Sequence, residues 1–551
     1  MTRRHASVAA ALAALCAAFA VLVQFQPVSS PWWTGGDADS VYVSSGVSLF
    51  GSRVSRYYDH PGTPLQEALA ASLTAGWAVD SHGQSRSERA DALFAHLDAT
   101  RPYFRSWAVA LTLLSVLTAF TVLLLLSGSV VYALLAGLLF LAAPQVIAYS
   151  IELRPDVVLA GLCMAVTGIA VAAYRRRSAG LYLTAATLLG FTITVKLHAI
   201  GLVVPLGLAM LLHPPAAGWA AGTTASLRDA LRRHRRWFAG AGAAWVALLI
   251  LLNLGSATPN ARNSAELLAA VAAVVIGAAA VWRLARGTRA AGVLSVGAAA
   301  LVCAITGAIL PNLFYASTVP TMVRWIVLGL IGRGVNSDAS PLSSGLGGLE
   351  PWIPFFALAA LGALRGLRAR EGETLLWLTG AIVTGVLAAA RFGTLHYFEP
   401  AVALSIPLIL RLVGKPSRRT IPVAALIVAA LVVIPFRDGI RSGQQLDRSS
   451  AHTAALEHWT RAHLAADEGA ITPLATSDTS YFGYILQFAT RPPAIDLRLL
   501  PADASGIAYL KEHGLKLRYL VDPNGAAHLD AIGLTGRFRP IPGVVGVFEL
   551  R

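Results

Sequence analysis

Charged residues are scarce in this chain. Asp, Glu, Lys and Arg together make up 13% of the 551 residues, whereas 56% of the residues are hydrophobic. Soluble globular domains carry about 25% charged residues, so the composition excludes an ordinary soluble enzyme. A bilayer core about 30 Å thick is crossed by roughly 20 apolar residues, and the chain contains many such runs. The sequence therefore predicts an α-helical polytopic membrane protein.

Cysteine is rare as well. Cys16, Cys163 and Cys303 all fall inside apolar runs, where no disulfide framework forms, and their spacing fits no metal site. The sequence also contains no glycine-rich phosphate loop, no His-Glu-x-x-His motif and no Gly-x-Ser-x-Gly motif. The chain thus has no sequence signature of a nucleotide-dependent enzyme or of a zinc protease.

The apolar runs predict about 13 transmembrane helices. They lie near residues 7–25, 105–127, 130–147, 157–174, 180–195, 199–212, 238–255, 266–282, 291–311, 351–364, 374–390, 400–412 and 421–436. The stretch 180–212 is nearly continuous, and we expect two short helices that meet near Lys196, with a re-entrant hairpin as the alternative.

The charges predict the orientation of these spans. If Arg3 and Arg4 hold the N-terminus in the cytoplasm, all arginine-rich loops fall inside, as the positive-inside rule requires. Only Asp229, Glu371 and Glu373 of the 29 acidic residues would then be cytoplasmic. We expect a multi-pass protein of the bacterial plasma (inner) membrane with an extracytoplasmic C-terminus. Topology accounts for the net charge of +15, so no nucleic acid partner is expected.

Two units follow from this topology. Residues 1–436 form a transmembrane domain with two long outer loops, 31–104 and 312–350. The first loop has the apolar periodicity of short interfacial helices around Val41–Phe50 and Leu65–Val79. Residues 437–551 read as a small extracytoplasmic α/β domain. Its predicted helices lie near 451–465 and 480–489, and its predicted strands near 471–476, 493–497, 517–521 and 544–550.

The first candidate site follows the first span. Asp37 and Asp39 stand just outside the membrane at the start of a short helix, in the sequence Gly-Asp-Ala-Asp-Ser-Val-Tyr that ends at Tyr42. Partial desolvation raises the basicity of a carboxylate, so either acid could deprotonate an acceptor hydroxyl there. The alternative is that Asp39 caps the helix and Asp37 is a solvated loop acid.

The second candidate is Glu152-Leu153-Arg154-Pro155-Asp156, on the outer loop between the third and fourth spans. Pro155 suits the first turn of a helix, which brings Asp156 to the N-terminus of that helix. Charges so near the hydrocarbon are costly, by about 2.5–3.5 kcal/mol each at the bilayer centre and less near its boundary. They are therefore either a structural Arg–carboxylate pair or acids that face a substrate.

The third group consists of cations and polar residues at the outer ends of later spans. It comprises Lys196, His198, Arg391, His396, Tyr397 and Glu399. Cations at headgroup level match a lipid phosphate or diphosphate, which Arg can bind bidentately. The alternative is simple snorkelling of long side chains to the interface.

This arrangement resembles the GT-C superfamily of integral-membrane glycosyltransferases. That superfamily includes protein O-mannosyltransferases, lipid A aminoarabinose transferases and bacterial transferases that decorate lipopolysaccharide. Members commonly carry Asp-Glu followed by a Tyr after the first span, and then a His-Pro-Pro turn. Asp37 and Asp39 with Tyr42, and the turn that starts at His60, occupy these places. Ala38 splits the acidic pair, and the turn here reads His-Pro-Gly.

Further along the chain, Glu152, Arg154 and Asp156 match an outer Glu-x-Arg-x-Asp element of the family. Lys196 matches a basic residue often found after the fifth span. The resemblance implies Asp37 or Asp39 as general base, with Lys196, Arg391 and His60 balancing a departing lipid phosphate. Some branches of the family need a divalent metal and others do not, so a metal cofactor stays an open possibility.

The function expected from residues and resemblance together is glycosyl transfer at the outer face of the membrane. The sugar would come from a polyprenyl-phosphate donor, and the acceptor would be a hydroxyl of a cell-wall glycan, a lipid or a protein. The alternative is a secondary transporter or lipid flippase. Such proteins place ionisable residues near the bilayer midplane and have repeated or broken helices.

Overall fold

A computed structural model describes residues 3–26, 37–51, 63–80, 83–95, 97–143, 146–147, 149–214, 291–309, 352–391, 395–414, 417, 419–472, 499–502, 504–522 and 537–551. Helices dominate these residues. In chain order they are α1 (Arg3–Gln24), α2 (Asp37–Phe50), α3 (Thr63–Val79), α4 (Arg86–Ala95), α5 (Leu97–Ser127), α6 (Val130–Leu141), α7 (Pro155–Arg176), α8 (Ala179–Val195), α9 (Val203–Leu212), α10 (Ala291–Ile309), α11 (Ile353–Arg368), α12 (Gly372–Arg391), α13 (Glu399–Val413), α14 (Thr420–His463) and α15 (Ala504–Glu512).

The predicted spans correspond well to these helices. Every predicted span except those near 238–255 and 266–282, which lie outside the described residues, falls on helical structure. Among the described residues, five stretches are long and apolar enough to cross a membrane: Arg4–Gln24, Pro102–Ser127, Pro155–Arg176, Gly372–Ala389 and Thr420–Asp438. The polytopic helical class is thus confirmed, while the number of about 13 crossings stays a prediction. The span predicted at 130–147 is shorter than expected, because α6 ends at Leu141.

The stretch 180–212 is broken at Lys196. Helix α8 ends there, a short 3-10 helix covers Leu197–Leu202, and α9 follows. The two ends return to each other, since the Tyr182 hydroxyl near the start of α8 donates to the carbonyl of Ala209 at 2.8 Å and to that of His213 at 3.1 Å. The expected pair of helices that meet near Lys196 is therefore a hairpin with its apex at Lys196.

Charges mark both ends of α7, and residues 157–174 between them carry none. At its C-terminal end, Arg175 contacts Glu373 in the first turn of α12 at 2.7 Å. Glu373 also receives a 2.7 Å contact from Arg411, which lies in the last turn of α13 and contacts Glu371 at 2.9 Å. This ion-pair network joins three helices at one end of the bundle, and Asp156 lies at the other end of α7.

The first long loop contains a small helical module. Helices α2 and α3 coincide with the two expected segments, and α4 was not predicted. Val47, Leu69 and Phe94 form an apolar core between these helices, and this core includes Phe104 of α5 and Leu153 of the loop before α7. The module thus shares one apolar core with Leu153, which stands between Glu152 and Arg154.

Among the described residues of the C-terminal part, five strands form a mixed sheet with the order β2-β1-β3-β5-β4. The strands are β1 (Glu468–Thr472), β2 (Leu499–Pro501), β3 (Lys516–Val521), β4 (Phe538–Pro540) and β5 (Val547–Leu550). Strand β1 pairs in parallel with β2 and β3, whereas β5 is antiparallel to β3 and β4. A small sheet is thus present where the sequence predicted one, while the bounds of the unit and its extracytoplasmic side stay predictions.

Alternating side chains of the strands build two apolar clusters, one on each face of the sheet. On one face, Leu456 and Leu464 at the end of α14 pack with Ala470. On the other face, Leu510 of α15 packs with Ile471. This alternation is the period of two that a strand imposes.

Helix α14 runs unbroken across residues 436 and 437, the boundary expected between the two units. The helix expected near 480–489 and the strand near 493–497 lie outside the described residues.

Helices α8 and α10 approach each other closely because glycines lie between them. A Cβ atom at Gly190 would overlap the carbonyl oxygen of Ala304, and a Cβ at Gly307 would overlap that of Thr187. Small residues of this kind let helix backbones pack directly in membranes. A Cβ atom at Gly297, also on α10, would have no atom of the described chain within 4 Å.

We expect Gly307→Ala to destabilise the bundle by about 1–3 kcal/mol, because the added methyl group must push two backbones apart. The matched variant Gly297→Ala should be neutral or slightly stabilising, since alanine favours a helix over glycine. Thermal unfolding of the two purified variants in detergent measures the difference. Equal midpoints for Gly307→Ala and the wild type would mean that α8 and α10 are not in this contact.

Candidate functional site: a charged cluster at one end of the bundle

The loop before α7 holds a buried ion pair. Arg154 has extended backbone angles and precedes Pro155, the first residue of the helix. Its guanidinium Nε donates to the Glu152 carboxylate at 2.6 Å, and the two side chains are only 10% and 13% exposed. The guanidinium also lies over the ring of Tyr149, 4.1 Å from the ring centroid. Arg154 is therefore fixed on two sides.

A second ion pair joins α7 to the apex of the α8–α9 hairpin. The Lys196 ammonium donates to the carboxylate of Asp156. Their side chains are 12% and 4% exposed. Because removing one partner of such a pair leaves a buried charge, the pair fixes the position of the apex relative to α7.

The ring of Tyr397 brings a third segment to this place. Lys196 Nζ lies 4.1 Å from the centroid of the ring. The His198 ring, 5% exposed, lies 4.9 Å from the same centroid on a tilted plane. A cation over an aromatic face gains about 2 kcal/mol or more when it is desolvated. Tyr397 thus contacts both polar residues of the apex.

Glu399 completes the group. It is 2% exposed, and the negative charge of Asp156 and the positive charges of Lys196 and Arg154 act on it. Within the described part of the chain, no hydrogen-bond partner lies near either oxygen of its carboxyl group. A buried polar group without a partner is costly, so this carboxyl group is suited to a donor from a ligand. We call Glu152, Arg154, Asp156, Lys196, Tyr397 and Glu399 the charged cluster.

The helix ends explain where these charges stand. Asp156 and Glu399 lie in the first turns of α7 and α13, both of which begin with a proline at one of their first two positions. Lys196 lies at the C-terminal cap of α8. Helix N-termini favour anions and C-termini favour cations, so each charge matches the dipole of its own helix. Pro155 and Pro400 need no backbone donor in a first turn, which makes them suitable helix starts.

Tyr149 is a member of this neighbourhood that sequence analysis missed. Burial raises the pKa of its phenol; Arg154 opposes this shift, while Glu152, Glu399 and Asp156 support it. The phenol is therefore neutral at pH 7 and can donate a hydrogen bond. Burial by itself would lower the pKa of Arg154, but Glu152, Tyr149 and Asp156 raise it overall, so the guanidinium stays charged. The sequence feature that could have identified Tyr149 is its position three residues before Glu152.

Two other buried polar residues also went unnoticed. Gln66 of α3 is fully buried, and its amide has no hydrogen-bond partner among the described residues. Arg105 of α5 is 3% exposed. The sequence feature that could have identified Gln66 is its position at the start of α3, just after the turn that begins at His60.

The other predicted site residues fall in three places. Tyr42 is buried in the same apolar core as Leu153, which stands between Glu152 and Arg154 in the chain. Asp37 and Asp39 lie in the first turn of α2, but their side chains are outside the described part. Arg391 ends α12 and His396 lies in the 3-10 helix Leu395–Phe398; their side chains, and all of His60, are likewise outside it.

No group of three or more His, Cys, Asp or Glu side chains in the described chain is placed to hold a metal ion. A metal ligand set built from Asp37, Asp39 or His60 falls outside the described side chains. A divalent metal therefore stays the open possibility that the resemblance left.

No protein-family model matches the chain, and no curated protein is significantly similar to it in sequence. Among solved structures, ArnT from Cupriavidus metallidurans bound to undecaprenyl phosphate aligns with 98% of this chain and 97% of its own, at 14% identity and a TM-score of 0.51. Archaeal oligosaccharyltransferase AglB from Archaeoglobus fulgidus, in complex with an inhibitory peptide and a dolichol-phosphate, aligns with 94% of this chain and 70% of its own, at 13% identity and a TM-score of 0.44.

The likeness to ArnT extends over nearly the whole of both chains and shows a common fold. The chain therefore shares its fold with ArnT, as the resemblance of its motifs predicted, and its long apolar helices are those of a membrane protein.

We expect Asp156→Asn to destabilise the protein by about 3 kcal/mol, because Lys196 would keep its charge without a buried partner. The control is Asp467→Asn, which removes an ion pair with Lys516 whose side chains are 58% and 77% exposed. Its loss should have little effect on stability, because exposed ion pairs contribute little. Thermal unfolding in detergent compares the two variants.

The double variant Asp156→Leu with Lys196→Met should recover most of the lost stability, since no charge then remains buried. If Asp156→Asn and Asp467→Asn unfold at the same temperature, the Lys196–Asp156 pair does not hold the apex.

Proposed function

We propose that the protein transfers a sugar from a polyprenyl-phosphate donor to a hydroxyl acceptor at the outer face of a bacterial plasma membrane. The observation that carries this proposal is the charged cluster, which lies at one end of an apolar bundle beside the module that begins with Asp37 and Asp39. The structure of ArnT, which has the same fold, contains bound undecaprenyl phosphate, and this supports a lipid-phosphate donor.

The donor phosphate would bind at the cationic side of the charged cluster. Asp156 and the Tyr397 ring hold the Lys196 ammonium from two sides, and Glu152 and the Tyr149 ring hold the Arg154 guanidinium. Cations fixed in advance in a site with little water stabilise charge that develops in a transition state. The two cations therefore suit a leaving lipid phosphate, with Arg391 and His60 as further candidates.

In the reaction itself, Asp37 or Asp39 accepts the proton of the acceptor hydroxyl. The hydroxyl oxygen forms a bond to the anomeric carbon of the sugar. The bond from that carbon to the phosphate oxygen breaks, and its electron pair stays on the lipid phosphate. Energy is supplied by the lipid-linked donor, so no nucleotide is required.

The acidic members have separate roles in this proposal. Glu152 and Asp156 hold the two cations in place. Glu399 has no hydrogen-bond donor among the described residues, and the charges of Asp156, Lys196 and Arg154 act on its carboxyl group. It is therefore the acid best suited to accept a hydrogen bond from a hydroxyl or amine of the sugar or the acceptor, and with His198 and His396 it would help to position the substrate.

Asp37→Asn and Asp39→Asn, made separately, should both insert into the membrane normally, and at least one should abolish glycan transfer, because an amide cannot accept the acceptor proton. Mass spectrometry of envelope glycans and lipid-linked sugars from cells that carry each variant measures transfer. Asp467→Asn, an exposed acid of the C-terminal sheet, is the matched control and should retain full transfer. Full transfer by both variants at Asp37 and Asp39 would disprove their catalytic role.

A secondary transporter or lipid flippase is the second candidate. The break between α8 and α9 favours it, since a lysine at this break pairs with an acid from another helix. Against it, Asp156 and Lys196 stand at helix ends and not midway along a span. Broken helices of transporters bind their substrates near the bilayer midplane.

Purified protein in sealed vesicles separates the two candidates. We expect turnover of a polyprenyl-phosphate-linked sugar to free polyprenyl phosphate when donor and acceptor are on the same side of the membrane. Movement of an intact lipid-linked sugar between leaflets, without cleavage and dependent on Lys196, would identify a flippase.

A further inference from the structure

A groove separate from the charged cluster opens between α1, α6 and α14. Its volume is about 600 Å³, within the range of roughly 300–1,000 Å³ that is common for ligand sites. Ala18, Leu138 and Phe436 contribute apolar walls from the three helices. Val433 on its wall is 61% exposed. The groove is therefore mainly apolar and open on one side.

Two cations stand at one end of this groove. Arg437 and Arg441 line it one helical turn apart, where the apolar span of α14 ends at Asp438. Asp438 contacts Arg437 at 3.1 Å, and both side chains are more than half exposed. In the described part of the chain, no carboxylate lies within ion-pair distance of Arg441, which is exposed. The end of the groove is thus positively charged, although Asp438 offsets part of the charge.

The position of the groove along the bundle suits a bound lipid. Leu138 and Leu141 lie in the last turns of α6, and the chain continues from there to the loop of Glu152 and Arg154. The groove thus opens at the same end of the bundle as the charged cluster, at the level where headgroups meet the apolar helices. Basic residues next to a span attract anionic headgroups by about 1 kcal/mol each.

We propose that this groove binds a membrane phospholipid, with its acyl chain against Ala18, Leu138 and Phe436 and its phosphate against Arg437 and Arg441. The apolar walls of the groove suit the acyl chain of the lipid, and the two guanidinium groups suit its phosphate oxygens. This site is independent of sugar transfer, because none of its residues belongs to the charged cluster.

The test is native mass spectrometry of the full chain in detergent, titrated with dioleoyl phosphatidylglycerol. Dioleoylglycerol, which has the same chains without the phosphate, is the second arm, and inorganic phosphate as competitor is the third. We expect phosphatidylglycerol to bind about tenfold more tightly than the diacylglycerol, and millimolar phosphate to leave it bound. Equal binding of the two lipids, or displacement by free phosphate, would overturn the proposal.

Charge variants locate the headgroup. Arg437→Gln with Arg441→Gln should weaken phosphatidylglycerol binding about tenfold and leave the diacylglycerol unchanged. Arg176→Gln with Arg368→Gln removes two exposed arginines away from the groove and is the matched control. Asp438→Asn should tighten binding, since it removes the competing carboxylate. Equal effects of both double variants would mean that the phosphate does not bind at Arg437 and Arg441.

Steric variants locate the acyl chain. Ala18→Trp should fill the groove and reduce the binding of both lipids at least tenfold, whereas Ala17→Trp on the exposed side of α1 should not. If Ala18→Trp binds both lipids as the wild type does, the groove is not the lipid site.

Discussion

Charge is buried in the apolar bundle at low cost only where an opposite charge meets it, and the placement of the ion pairs follows from this constraint. Helix α7 demonstrates it most directly. Asp156 and Arg175 stand at its two ends, about 29 Å apart at 1.5 Å of rise per residue, and no charge lies between them. That distance is close to the thickness of a bilayer core, about 30 Å. At each end, a residue of opposite charge from another segment forms an ion pair with the charge of α7.

The same constraint produces the candidate site. Lys196 at the hairpin apex can be buried because Asp156 and the Tyr397 ring receive it, and this contact brings the hairpin, α7 and the start of α13 to one point. The arginine of the neighbouring loop is paired in the same way with Glu152. Ion pairs that stabilise the fold in the absence of substrate are therefore the same groups that we propose for phosphate binding. Stability and substrate recognition draw on one set of side chains.

Much of this architecture could be predicted from the sequence because apolar length and loop charge are strong signals. They gave the helical class, the break at Lys196 and the two helices of the first loop, and local motifs indicated Glu152, Arg154 and Asp156. The pairing of Asp156 with Lys196 could not be predicted, because 40 residues separate them and either one could equally have snorkelled to the interface. Helix α4 escaped prediction because its sequence is polar and short, and the strands at 499–501 and 538–540 are too brief to give a period-two pattern.

Helix α14 has 44 residues and is about 66 Å long at 1.5 Å per residue, so it continues well beyond the bilayer and packs against the sheet with its last turns. An insertion in its exposed middle would not simply lengthen a linker. Each added residue would turn the sheet by about 100° around the helix axis, given 3.6 residues per turn. The number of residues in α14 thus sets the rotational position of the C-terminal sheet above the bundle. Insertions and deletions in this segment keep that position only when they add or remove nearly whole helical turns.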